Sequence, residues 1–371
     1  MRNEAISITK AIGIICVVMG HAEPPDLLSN FIYIFHMPLF FIAAGYFFGE
    51  KHLENPWEFC RRRVKGLYVP FLKYAILFLL LHNLLFSMGL MNETYGNWTG
   101  GVTHPYTWTQ FFRRLFTIVT SMSGYDEFMA GAFWFFRGLL VASILFLILC
   151  RGVRSKTGLG LAWCAAIVCA VAILFNAYRF GFGLKIPVIP NGGLRETWGV
   201  FFFGIGVIFG QLEGRFSNRW WLTSLCLVIL GVCAWFHTCG MNNNGRMIDI
   251  LTLPATGVSG WIVMRHAGEL IASMVNPFRS LMVFIGNNTL YVFVFHIISY
   301  KLVSLLKIAW YGLDWDQIGC HMVIHYNNHE DLFWILYTIV GVGVPVGALW
   351  LSQRVPGRIR GMLSRPRKLT D

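Results

Sequence analysis

Lys10 and His21 are the residues whose types and spacing promise chemistry. They lie in Ile6-Ser-Ile-Thr-Lys10-Ala-Ile-Gly-Ile-Ile-Cys-Val-Val-Met-Gly-His21, an apolar run with a cation near its start and an imidazole at its end. On an α-helix eleven residues advance about three turns, so the two side chains share one face about 16 Å apart along the axis. A cation there can grip an anion, and a neutral imidazole near pH 7 can take up a proton. A charge at the centre of a bilayer costs at least about 2.5–3.5 kcal/mol, so an ionisable group retained in such a segment is a functional candidate by default. The alternatives are that Lys10 snorkels to the headgroups and that His21 only marks the helix end at the interface.

Further groups stand in unusual places. Arg61-Arg62-Arg63-Val-Lys65 is a dense basic cluster just ahead of Pro70, and Arg62 and Lys65 are suited to holding phosphates. Glu23 and Asp26 follow His21 closely; Glu23 can orient the imidazole or a substrate, or be an ordinary loop acid. His36, ahead of Pro38, either lines a cavity or hydrogen-bonds the kinked backbone. Arg137 lies in an apolar run and requires a cavity or an ion-pair partner. His296 is a candidate for the same cavity or a buried structural imidazole. His321, His325 and His329 recur every four residues, as metal ligands on a helix can, but Tyr326-Asn-Asn within them argues against a helix, and no metal site is expected.

The elements that must carry these groups are membrane helices. The chain has 371 residues, 56% hydrophobic and 13% charged, with mean hydropathy +0.58, which excludes an ordinary soluble domain. The net charge of +12 gathers in short loops, where it reads as a topology signal and headgroup or phosphate contact, with no nucleic-acid role. Nine cysteines with no Cys-x-x-Cys pair imply neither a disulfide framework nor zinc. Apolar runs at about 6–22, 29–49, 67–90, 129–150, 158–177, 196–212, 220–238, 247–265, 280–304 and 331–351 give an all-α polytopic bundle of about ten spans. Basic loops put both termini in the cytoplasm. Pro38 should kink the second span, Gly45 permits close packing, and residues 109–119 form a short amphipathic helix, interfacial or re-entrant. Residues 1–352 form the membrane domain and 353–371 a basic cytoplasmic tail.

Several of these motifs, in this order, resemble the acyltransferase 3 family of integral membrane O-acyltransferases. They are Lys10 with His21, the Phe35-His36-Met-Pro38-Leu-Phe-Phe41 run leading to Gly45-Tyr46, Arg62 with Lys65, Trp134-Phe135, and Gly286-Asn-Asn-Thr-Leu-Tyr291 leading to His296. The resemblance implies an enzyme of the bacterial inner membrane. It would take an acyl group, usually acetyl, from cytoplasmic acetyl-CoA and deliver it to a hydroxyl of a surface polysaccharide or lipid-linked sugar, with no bound cofactor. It makes His21 the catalytic residue and Lys10, Arg62 and Lys65 the donor-binding cations. Ser7, Ala44 and Lys65 depart from the family pattern. An activated thioester needs only a base for the acceptor hydroxyl and a grip on the donor; whether His21 is that base or a covalent carrier stays open. The competing reading is a carrier or exporter of lipid-linked sugars, since buried polar residues and broken helices also build transport paths.

Overall fold

The computed structural model describes residues 4–96, 104–186, 190–212, 219–238, 240–241, 246–327 and 330–363. The described residues contain helices and loops and no strand. The principal helices are α1 (Glu4–His21), α2 (Asp26–Tyr33), α3 (His36–Tyr46), α4 (Pro56–Ser87), α5 (Trp108–Ser121), α6 (Trp134–Thr157), α7 (Leu161–Phe182), α8 (Leu194–Gln211), α9 (Trp220–Trp235), α10 (Asp249–Ser273), α11 (Pro277–Asn287), α12 (Thr289–Tyr311) and α13 (Phe333–Leu363). Seven spans, α1, α2 with α3, α4, the Glu127–Thr157 span that ends in α6, α7, α12 and α13, are long and apolar enough to cross a membrane; α8, α9 and α10 pack into the same bundle. α13 runs on through Leu363, so the expected tail begins as helix, and its Arg365, Arg367 and Lys368 lie outside the described residues.

Two prolines shape the bundle four residues upstream of themselves, where each ring would meet the carbonyl of residue i−4. Pro38 separates α2 from α3 at Ile34–Phe35; the freed Ile34 carbonyl accepts from the Thr256 hydroxyl at 3.1 Å. Pro70 coincides with a π turn over Val64–Tyr68, so α4 is one rod that carries the basic cluster within it, where the sequence suggests a loop followed by a span from residue 67. Similarly, the expected span 280–304 is broken at Asn288 into α11 and α12.

α1 is the hub. It touches α2, α3, α10, α11, α12 and α13, and more than half of its residues are buried. Its close seat on α11 depends on Gly286, whose added Cβ would lie 1.7 Å from the Ser7 carbonyl oxygen, while the Ser7 hydroxyl donates to Asn287 Oδ1 at 2.9 Å. Gly45 does permit close packing: a Cβ there would lie 2.0 Å from the Phe203 carbonyl oxygen of α8, and Gly206 answers it from the opposite side against Ile42. At one end of the bundle stand Arg61, Arg62, Arg63, Lys65, Arg151, Arg154 and Arg279; Arg279 pairs with Glu4 and Arg154 with Glu50. His21 closes α1 at the other end. α5 is amphipathic, with Trp108, Phe112 and Phe116 exposed, and it descends beside α4 until Val119 O accepts from the Tyr68 hydroxyl at 2.6 Å.

Candidate active site

The last turn of α1 leaves carbonyls without helical partners. Tyr300 donates its hydroxyl to Val18 O at 2.5 Å and Tyr33 donates to Gly20 O at 3.1 Å, so two phenols from α12 and α2 fix the backbone that carries His21. The His21 ring stacks on His296 with an interplanar angle of 12°, and Nδ1 of His21 lies 2.9 Å from Nε2 of His296.

The partners of His296 assign the protons. Its Nδ1 is 2.9 Å from Phe293 O and 3.1 Å from Val292 O, and carbonyls only accept, so Nδ1 carries the hydrogen. In the neutral ring Nε2 then holds a lone pair, which accepts from His21 Nδ1–H. His21 is left with its own lone pair on Nε2. His296 is fully buried and held by its two backbone contacts, so it fixes the orientation of the His21 ring.

Below this pair, on the side of the basic end, lies an apolar cavity of about 180 Å³. Ile14 and Val17 of α1, Phe40 of α3, Phe135 of α6 and Phe293 of α12 wall it, and Gly66 and Leu67 of the π turn bring it to the basic cluster. Thr289 is its only hydroxyl-bearing wall among the described residues. Lys10 sits two turns of α1 below Val17 and is half-buried. Arg62 is exposed and donates to Glu58 on its own helix at 2.8 Å; Lys65 is exposed in the π turn. The cavity thus runs from the basic turn to Val17, one helical turn short of His21 on α1.

The remaining sequence candidates divide. His36 donates Nδ1–H to Ile32 O at 2.8 Å, bracing the α2–α3 break, and its ring lies edge-on to Tyr33. Glu23 takes a left-handed backbone (φ 54°) two residues past His21 and meets His325 Nδ1 at 3.0 Å, which ties the loop before α13 to the end of α1. Arg137 is buried and joined to Glu196 by a single Nε···Oε1 bond of 3.0 Å. The described residues hold no metal-ligand cluster, and His329 lies outside them.

Sequence reasoning missed the groups that hold the loop over His21. Lys301 donates to Ile318 O and Cys320 O, each at 2.6 Å, and Lys307 pairs with Asp331 at 3.0 Å. Both lysines are buried on α12. Their positions inside an apolar run were the available signal. His321, on that loop, hydrogen-bonds the Glu127 backbone, and burial, followed by the Lys301 charge, holds its imidazole below the ordinary range. His82 was also missed: its Nδ1 meets Asp126 at 2.7 Å and its Nε2 meets His104 O at 2.9 Å, with Tyr106 stacked on its face, which anchors the approach to α6.

The family model described as Acyltransferase domain matches residues 3–352, nearly the whole chain. The chain belongs to the acyltransferase 3 family. It is an integral membrane acyltransferase, and the matched segment contains the histidine pair, the cavity and the basic turn. No curated protein and no solved structure matches the chain.

Proposed function

We propose that this acyltransferase moves an acyl group, in the simplest case acetyl, from cytoplasmic acyl-CoA to a hydroxyl of a surface polysaccharide or lipid-linked sugar. The observation that carries the reading is the His21–His296 pair, with its lone pair on His21 Nε2, one turn of α1 above an apolar cavity whose walls include Gly66 and Leu67 of the basic turn. The positive-inside bias turns that basic end to the cytoplasm. Arg62 and Lys65 there suit the phosphates of CoA, and Lys10 lies deeper on the same route.

His21 Nε2 takes the proton of the acceptor hydroxyl as the oxygen attacks the thioester carbonyl carbon. The tetrahedral intermediate collapses with cleavage of the C–S bond, and the departing CoA thiolate takes the proton back from His21. His296 holds the His21 tautomer throughout and keeps accepting from Nδ1–H when His21 Nε2 is protonated to the imidazolium. Glu23 and His325 border the acceptor side, and the bacterial inner membrane is the setting that matches a cytoplasmic donor and an external glycan.

The test uses membranes with and without the chain, supplied with radiolabelled acetyl-CoA. Label should enter the extracted glycan only when the chain is present and leave it on mild alkali, as an O-ester does. Label-free glycan, with lipid-linked sugar crossing the bilayer unmodified, would instead support the carrier.

A further inference from the structure

Arg137 of α6 and Glu196 of α8 form a buried ion pair that is only half closed. A guanidinium and a carboxylate at full engagement make two parallel bonds. Here one bond forms, Arg137 Nε to Glu196 Oε1 at 3.0 Å, while Arg137 Nη2 and Glu196 Oε2 are both buried with no hydrogen-bond partner among the described residues. The side chains are 8% and 3% exposed, so bulk solvent does not serve these atoms. One buried donor and one buried acceptor thus stand on the same pair.

The neighbours narrow what can meet them. Arg195 lies over the Trp134 ring at 4.4 Å, and its Nε is likewise buried without a partner. Arg195 is within electrostatic range of Tyr125, Glu127, Arg137 and Glu196. Arg179 is also within electrostatic range of Glu196, but its guanidinium is engaged by Leu184 O, Gly192 O and Thr197, so the two guanidiniums with buried unmet donors, Arg137 and Arg195, stand with two carboxylates. An anionic ligand would meet Glu196 and Glu127, and a cation would meet the two arginines. A neutral ligand that donates and accepts from adjacent atoms fits both demands, and a vicinal diol does so: one hydroxyl donates to Glu196 Oε2 while its neighbour accepts from Arg137 Nη2.

The cluster also lies at the correct end. α6 begins at Trp134 and α8 at Leu194, both at the end of the bundle where α1 finishes. Glu127 connects it to the base, because its backbone bonds His321, which is within electrostatic range of His21. We infer that the Arg137–Glu196 pair is a binding site for adjacent hydroxyls of the acceptor sugar. This inference rests on the acyl-transfer reading above and assigns the acceptor's subsite within it.

The experiment measures apparent KM for each substrate separately, with radiolabelled acetyl-CoA as donor and O-deacylated surface glycan extracted from the source cells as acceptor. Glu196→Gln is the direct variant. Because it leaves a buried cation, the double variant Arg137→Gln with Glu196→Gln, which is neutral and near in shape, accompanies it. The double variant should raise the glycan KM roughly ten- to a hundredfold, the loss expected for hydrogen bonds to charged groups, and leave the acetyl-CoA KM within about twofold. A folded double variant with unchanged glycan KM, or with both KM values raised together, overturns this inference alone. Absence of transfer by the native chain overturns it together with the acyl-transfer reading.

Discussion

Replacing His296 with Phe removes the acceptor of His21 Nδ1–H and keeps a flat ring of similar size in a site with no solvent exposure. The His21 Nδ1–H then faces carbon. A buried donor without a partner costs about 1–3 kcal/mol. The ring escapes that cost by moving its proton to Nε2, which withdraws the lone pair that takes the acceptor's proton. Either way about 1–3 kcal/mol is lost from the reactive arrangement, equivalent to roughly 5- to 150-fold in kcat. His296→Gln returns a carbonyl oxygen near the lost Nε2 and should recover most of the rate. The assay is acyl transfer by purified protein in nanodiscs, with donor KM followed separately, since the cavity below the pair is retained and KM for acetyl-CoA should not move. His296→Phe turning over within twofold of the native chain would refute the orienting role, as would a raised donor KM with native kcat.

Four further outcomes follow from particular contacts. Gly66→Leu adds a side chain at a wall of the cavity, where a Cβ meets no atom within 4 Å, so thermal unfolding in detergent should be unchanged while transfer falls by roughly tenfold or more. Gly286→Ala drives a methyl group into the Ser7 carbonyl and should cost about 3 kcal/mol, read as a lowered unfolding temperature and yield. Arg62→Glu with Lys65→Glu should raise the acetyl-CoA KM strongly at low salt and less at high salt, because both positions are exposed and screened. For His321, burial and Lys301 hold the folded imidazole below its ordinary value of 6.5, so the unfolded chain binds the extra proton first as pH falls. Its share of stability is complete above 6.5 and is lost as pH drops from there through the folded value. Unfolding temperature should therefore fall between pH 7.5 and pH 5, with a shallower fall in His321→Gln.

Much of the scaffold was legible because hydrophobic runs and prolines act locally. The α1 run ends at His21 shortly before Pro24-Pro25, and Gly45 meets α8 as its small size suggests. Pro38 does break its span, but at Ile34, since the ring acts on the carbonyl four residues back. The same rule applied to Pro70 points to Gly66 and so to the π turn, which hydrophobicity alone hides. What the chain in one dimension could not give was pairing. His21 and His296 are 275 residues apart, and both appear in motifs, yet nothing local says that they share a hydrogen bond. Arg137 required a partner on energetic grounds, but Glu196 sits 59 residues away in an apolar run and became visible only when α6 met α8. Lys301 and Lys307 went unremarked because their partners lie in the following loop, which no local pattern ties to α12.

The most direct measurement compares membranes carrying the native chain with membranes carrying His21→Ala at matched protein levels, both supplied with radiolabelled acetyl-CoA and extracted surface glycan. Alkali-labile label should accumulate on the glycan with the native chain and fall to the level of membranes lacking it with His21→Ala, while acetyl-CoA binding is retained. Undiminished labelling by His21→Ala would contradict the account and move the base elsewhere in the bundle.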